Sequence, residues 1–179
     1  MTEVSVERSR LEAAQEFIQE EAGPRRQLTG AVGKLSSLLA VGMSLVFFYW
    51  AWAAVTAQVL RLVFLGFSLV LSFLIYPTRR RARGASVPWH DWLLIAMSIA
   101  AVAYPLWDFE EFIYRAALPT NQDQIFGALT IVLVLEATRR TTGWVLPAVA
   151  IGFLAYAWLG AYLPPPWTHQ GYDLDRMVG

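Results

Sequence analysis

The sequence contains no cysteine. Disulfides, thiolate metal sites, iron–sulfur ligation and cysteine nucleophiles are thereby excluded. The absence fixes no redox compartment, because it suits either side of a bacterial membrane. Charge is also scarce: Asp, Glu, Lys and Arg make up 16% of 179 residues, against roughly 25% in a typical soluble domain. Neither sign is in surplus, since 14 basic side chains balance 14 acidic ones. A nucleic-acid binder needs a basic surplus, and a disordered chain needs high net charge with low hydrophobicity; this chain has neither. Histidine occurs twice, at His90 and His169, far apart in sequence. There is no HxxxH, HExxH, GxSxG, Walker-A or GxGxxG string and no cluster of acidic ligands. The sequence therefore points away from an enzyme, and no cofactor or metal is expected.

Apolar side chains are what the sequence has in abundance. Hydrophobic residues reach 56% and aromatics 14%, with eight tryptophans. A soluble domain of this size would struggle to hide that much apolar side chain, so a membrane protein is the natural reading. The distribution of charge sharpens it. Residues 1–34 hold six acids and five bases, whereas Leu35 to Leu60 carry no charge at all. About 20 apolar residues span the hydrocarbon. Spans are predicted at about 35–55, 59–77, 91–107, 122–142 and 144–163. The fourth is partly polar and could instead be re-entrant or buried, which would leave four spans. The class expected is all-α: an integral membrane protein of four to five transmembrane helices, plus a short amphipathic helix on the outer face. Residues 1–34 form a charged cytoplasmic tail in this reading, and 164–179 an outer C-terminal segment.

Arginine placement sets the orientation, because cytoplasmic loops carry the basic excess. With a cytoplasmic N-terminus and five spans, eleven of the fourteen bases lie inside, and Arg61, Arg115 and Arg176 lie outside. With four spans the split becomes ten to four. Tryptophans fall at the apolar borders, as an aromatic belt requires. Trp50 and Trp52 close the first span, Trp89 and Trp92 open the third, Trp107 closes it, and Trp144 opens the last. These six are the expected interfacial anchors. The tail precedes a 21-residue span and does not resemble a cleaved signal peptide. Leu11, Ala14, Ile18 and Ala22 fall at helical spacing within it and suggest a short amphipathic helix.

Three patches carry polar side chains near the spans. In LEATRR (135–140), Glu136 stands three and four residues before Arg139 and Arg140, so all three share one helical face. Ionisable groups near the bilayer are expensive and usually paired. The patch reads as a self-neutralising anchor or partner contact at a cytoplasmic helix end; a part in an ion or substrate path is the competing reading. In WDFEEFIYR (107–115), Phe109, Phe112 and Ile113 oppose Asp108, Glu110 and Glu111. A short surface helix is expected there, with its acids as candidates for outer-face contacts. In PWHDW, His90 reads as a headgroup-level polar residue and Asp91 as the cap of the third span. Small pairs, Ser68 with Ser72 and Ala148 with Gly152, suggest close helix packing within the chain or with another subunit.

These strings together resemble a known family. LEATRR, the Gly143, Trp144, Leu146, Pro147 group, the Tyr156–Gly160 stretch and HQGY (169–172) look like the end of the small-subunit region in a TRAP transporter permease. The resemblance is to the TAXI type, in the N-terminal part of fused permeases. Upstream, YPTRRR (76–81), VPWHDW (87–92) and RAALPT (115–120) fit the same pattern. The resemblance covers about residues 33–176. It implies a non-catalytic scaffold subunit of a tripartite ATP-independent periplasmic transporter, a secondary importer of organic acids driven by a sodium or proton gradient. The implied partners are the large permease subunit, an extracytoplasmic TAXI-type solute-binding protein and membrane lipids. The implied location is the inner membrane of a bacterium or archaeon. In fused relatives the chain continues into the large subunit, so this one is expected to be a separate small subunit or a fragment. The alternatives are the small subunit of a tripartite tricarboxylate importer, or a stand-alone structural membrane protein.

Overall fold

The computed structural model describes residue 7 and residues 25–26, 28–53, 55–78, 87–107, 109–115, 120–162, 164 and 166–167. The tail helix expected around Leu11–Ala22, the arginine run 79–83, Asp108 and the HQGY string lie outside the described residues. Among the described residues, all regular structure is helical. The elements are α1 (Gly30–Trp50), α2 (Ala57–Ile75), α3 (Trp89–Trp107), the short α4 (Phe109–Arg115), α5 (Asn121–Thr142) and α6 (Val145–Leu159), with a 3-10 turn at Gly160–Tyr162.

The helix ends depart most from the charge-based spans at α1. α1 starts five residues before the predicted border and ends five residues before the predicted close. A charged residue bounds an apolar run but does not stop a helix, so Lys34 lies within the second turn of α1. Pro77 follows the end of α2, as expected where the ring removes a donor. Pro105 sits in the last turn of α3, which runs on to Trp107 without breaking.

Helices α2, α3 and α5 form the core. Leu69, Phe73 and Leu74 of α2 meet Ile95 and Ala101 of α3 and Leu133 and Ala137 of α5. α2 and α3 run antiparallel, and they approach closely at Gly66. A Cβ there would stand 3.3 Å from Val102 Cγ1. This contact is the close approach that small residues permit, and the serine pair of α2 did not mark it. The other small pair, Ala148 and Gly152, meets no neighbouring helix: a Cβ on Gly152 would have open space.

The two flanking helices are nearly bare. α1 packs against α2 yet contains no buried residue. α6 leans on α5, and Pro147 is its one buried residue among those described. Leu38, Val41, Leu45 and Phe48 of α1 are exposed, as are Val145, Val149, Phe153 and Trp158 of α6. Meanwhile Arg26, Asp91, Ser98, Asp123 and Arg140 are buried. Apolar side chains outside and charges inside invert the usual soluble arrangement, and soluble monomers rarely expose contiguous apolar patches beyond a few hundred Å². Two helices, α1 and α2, are long and apolar enough to cross a membrane. α6 is apolar but has 15 residues, and α3 and α5 each carry buried charge.

Candidate functional site

The polar residues of the chain meet mainly at one end of the bundle, where α2 and α5 finish and α3 begins. The local cause is the end of α2. A helix leaves its last carbonyls without intrahelical partners, and Pro77 prevents its continuation. Three successive carbonyls are taken up from elsewhere. The backbone N–H of Arg26 donates to Ile75 O at 2.8 Å. Arg26 Nη1 donates to Leu74 O at 3.3 Å and Arg140 Nη1 to Tyr76 O at 3.4 Å. Guanidiniums are well placed here, at the negative end of the helix dipole.

Asp91 lies between those two arginines. It belongs to the first turn of α3, where the dipole favours an acid. Its carboxylate does more than cap the helix, as the sequence reading expected. Oδ2 accepts from Arg26 Nη2 at 2.5 Å, and Oδ1 accepts from Arg140 Nη1 at 2.8 Å. Thr78 Oγ1 also donates to Oδ1 at 3.3 Å. The three charged side chains are 0–2% exposed. His90 stays at the rim, with Nε2 3.4 Å from Thr78 Oγ1 and 3.5 Å from Asp91 Oδ1.

Glu136, Arg139 and Arg140 come together as their spacing on α5 demands. Arg139 grips Glu136 through two bonds of 2.7 Å, and Arg140 Nε donates to Glu136 Oε1 at 2.8 Å. Arg140 is thus the bridge. It ties Glu136 on its own helix to Asp91 on α3 and to the end of α2, and its guanidinium lies 4.9 Å over the Phe73 ring. Arg139 points the other way, 5.5 Å over the ring of Trp144. The sequence reading saw the α5 half of this node and missed Arg26 and Asp91. The signal available was a lone acid at the mouth of an apolar span, which needs a cation from somewhere.

A smaller polar site closes the opposite end. Thr120 and Asp123 form a capping box at the start of α5. Tyr104 of α3 donates to Asp123 Oδ1 at 2.8 Å and stacks on Phe126 with centroids 4.2 Å apart. Glu110 and Glu111 are exposed on α4, at this end of the molecule. They lie roughly 28 Å from the node, one α3 length at 1.5 Å per residue. The six tryptophans named above stand at helix ends or turns. Trp50 ends α1, Trp52 is in the following turn, Trp89 and Trp92 stand in the first turn of α3, Trp107 ends it, and Trp144 precedes α6. Trp52, Trp89, Trp107 and Trp144 are all strongly exposed.

The node can bind, brace and orient. No group of three metal-ligating side chains converges among the described residues. Comparison with family models, curated proteins and solved structures finds no match. Three of the strings noted in the sequence meet at the node. YPTRRR supplies Tyr76 and Thr78, VPWHDW supplies His90 and Asp91, and LEATRR supplies the α5 triad.

Proposed function

We propose that this chain is a helical membrane scaffold, the small subunit of a TRAP-type solute importer. In this reading α1, α2, α3, α5 and α6 each cross the membrane, the N-terminus is cytoplasmic, and the node lies at the cytoplasmic face of the inner membrane. The chain braces a large permease subunit that carries transport. It presents the α4 end, with Asp108, Glu110 and Glu111, towards a TAXI-type solute-binding protein.

One observation carries the scaffold role. Both carboxylates of the node are engaged by arginines of the same chain, while the outer faces of α1 and α6 are apolar and exposed among the described residues. A transport path needs groups that can exchange partners with a solute or ion. A brace needs internal bonds and an apolar exterior that other membrane helices can cover. Inside a membrane such faces gain from close packing rather than from water exclusion. The resemblance of the YPTRRR, VPWHDW and LEATRR strings supplies the choice of importer.

Affinity purification from membranes tests the reading. A tagged chain is expected to bring down a large multi-span permease of the TRAP type in near-stoichiometric amount. Recovery of a tricarboxylate-type permease would move the chain to that class of importer, and recovery of the chain alone would refute the subunit role.

A further inference from the structure

Beside the node, between the segment that carries Arg26 and the first turns of α1, lies an open cavity of about 800 Å³. Its wall includes the polar Arg26, Lys34 and Ser37 and the apolar Leu38, Val41 and Ile75. The polar part has positive character from separate sources. α1 begins without a side-chain cap, since Thr29 accepts no bond from the first turn, and no acid stands in that turn. Among the described residues, no side-chain cap or first-turn acid compensates its leading N–H groups and positive dipole end. Lys34 adds an exposed ammonium. Arg26 forms part of the wall with a side chain 2% exposed, and its buried Nε has no hydrogen-bond partner. A buried donor left unpaired is costly. The node behind it sets three guanidiniums against two carboxylates, so one positive charge is left over.

We propose that this cavity binds an anionic phospholipid. The phosphate is held by Lys34 and the start of α1, with the charge of Arg26 behind it, and an acyl chain lies along Leu38, Val41 and Ile75. Charge complementarity selects an anion, and a helix N-terminus is a ready anion site. The adjoining apolar wall selects a lipid, because free phosphate has no use for it. The inference rests on the membrane reading above, under which the start of α1 lies among cytoplasmic headgroups, where anionic lipids attract basic side chains.

The test uses the full chain, purified in mild detergent and stripped of lipid. Melting and native mass spectrometry are followed with phosphatidylglycerol, phosphatidylcholine or inorganic phosphate added. Phosphatidylglycerol should raise the melting temperature and bind roughly five-fold tighter than phosphatidylcholine, the preference one basic group at a lipid surface supplies. Lys34→Gln, at an exposed position outside the node, should abolish that preference with unchanged helix content, and Lys34→Arg should keep it. Equal binding of the two lipids overturns the proposal, as does an unaltered preference in Lys34→Gln. A shift with inorganic phosphate as large as with phosphatidylglycerol overturns the lipid assignment. A chain that stays in the membrane fraction with its permease yet ignores phosphatidylglycerol refutes this site alone. A chain absent from that fraction refutes the reading beneath it.

Discussion

Asp91 receives two guanidiniums from segments 65 and 49 residues away in the chain. Buried ion pairs are expensive to desolvate and become worthwhile only when every remaining donor and acceptor is used. Here both carboxylate oxygens are used and the arginines also satisfy the end of α2, so that among the described residues Arg26 Nε is the buried side-chain donor left without a partner. Removing one partner should therefore cost far more than any single contact suggests. Asp91→Asn leaves Arg26 and Arg140 buried against a neutral amide, and we expect a loss of about 3–5 kcal/mol. Arg139→Gln is the control. Its side chain is 22% exposed, so the loss should stay within about 1 kcal/mol. Unfolding curves in detergent measure both, and comparable losses would mean that Asp91 is not the keystone. This residue also shows what a sequence can and cannot carry. Glu136, Arg139 and Arg140 were legible because three- and four-residue spacing is a local rule. The bonds of Asp91 to Arg26 and Arg140 obey no local spacing, so an acid at a helix start reads as a cap.

Helices were legible where uncharged runs are long, and their borders were not. α1 is displaced by five residues from the span drawn around its charges, because a charged residue such as Lys34 can be helical. The joint between α5 and α6 shows a sharper determinant. Gly143 has φ 87° and ψ −162°, a region essentially closed to other residues. It lets the chain leave α5 just after Thr142 and begin α6 at Val145, with Trp144 near Arg139. Gly143→Ala should cost about 1–3 kcal/mol and loosen α6, seen as faster hydrogen exchange along it. Gly42 in mid-α1 offers the contrast, since its Cβ would meet nothing. Gly42→Ala should be neutral or gain up to about 1 kcal/mol. If both substitutions behave alike, the backbone conformation at Gly143 is not what holds α6.

For the whole molecule, the zero net charge proves to be a sum over places. Among the described residues, Arg26, Arg139 and Arg140 outnumber Asp91 and Glu136 at the node, whereas Glu110, Glu111 and Asp123 stand at the α4 end and the start of α5. The number of crossings follows from this if basic residues stay inside. The chain has no native cysteine, so single cysteines report topology cleanly. In intact cells a cysteine replacing Gly171 should react with an impermeant reagent, and one replacing Arg8 only after permeabilisation. Protection of position 171 in intact cells would leave four crossings instead of five. The all-helical build of the described residues and two helices long and apolar enough to cross a membrane were legible from the uncharged runs, because hydropathy needs no partner information. The flanking position of α1 and α6 was not, since an apolar helix reads the same whether it is enclosed by its own chain or bare.

The node also orders events in time. Arg26 is made early, whereas Arg140 comes 114 positions later, at the end of α5. At about 5–20 residues per second, the ribosome needs on the order of ten seconds to connect the two. Through that interval the first arginine has no finished site. A nascent chain cut short before α5 could pair Arg26 with Asp91 but would leave Asp91 Oδ1 and Tyr76 O without Arg140. The same bonds that brace the mature bundle thus distinguish a finished chain from an unfinished one.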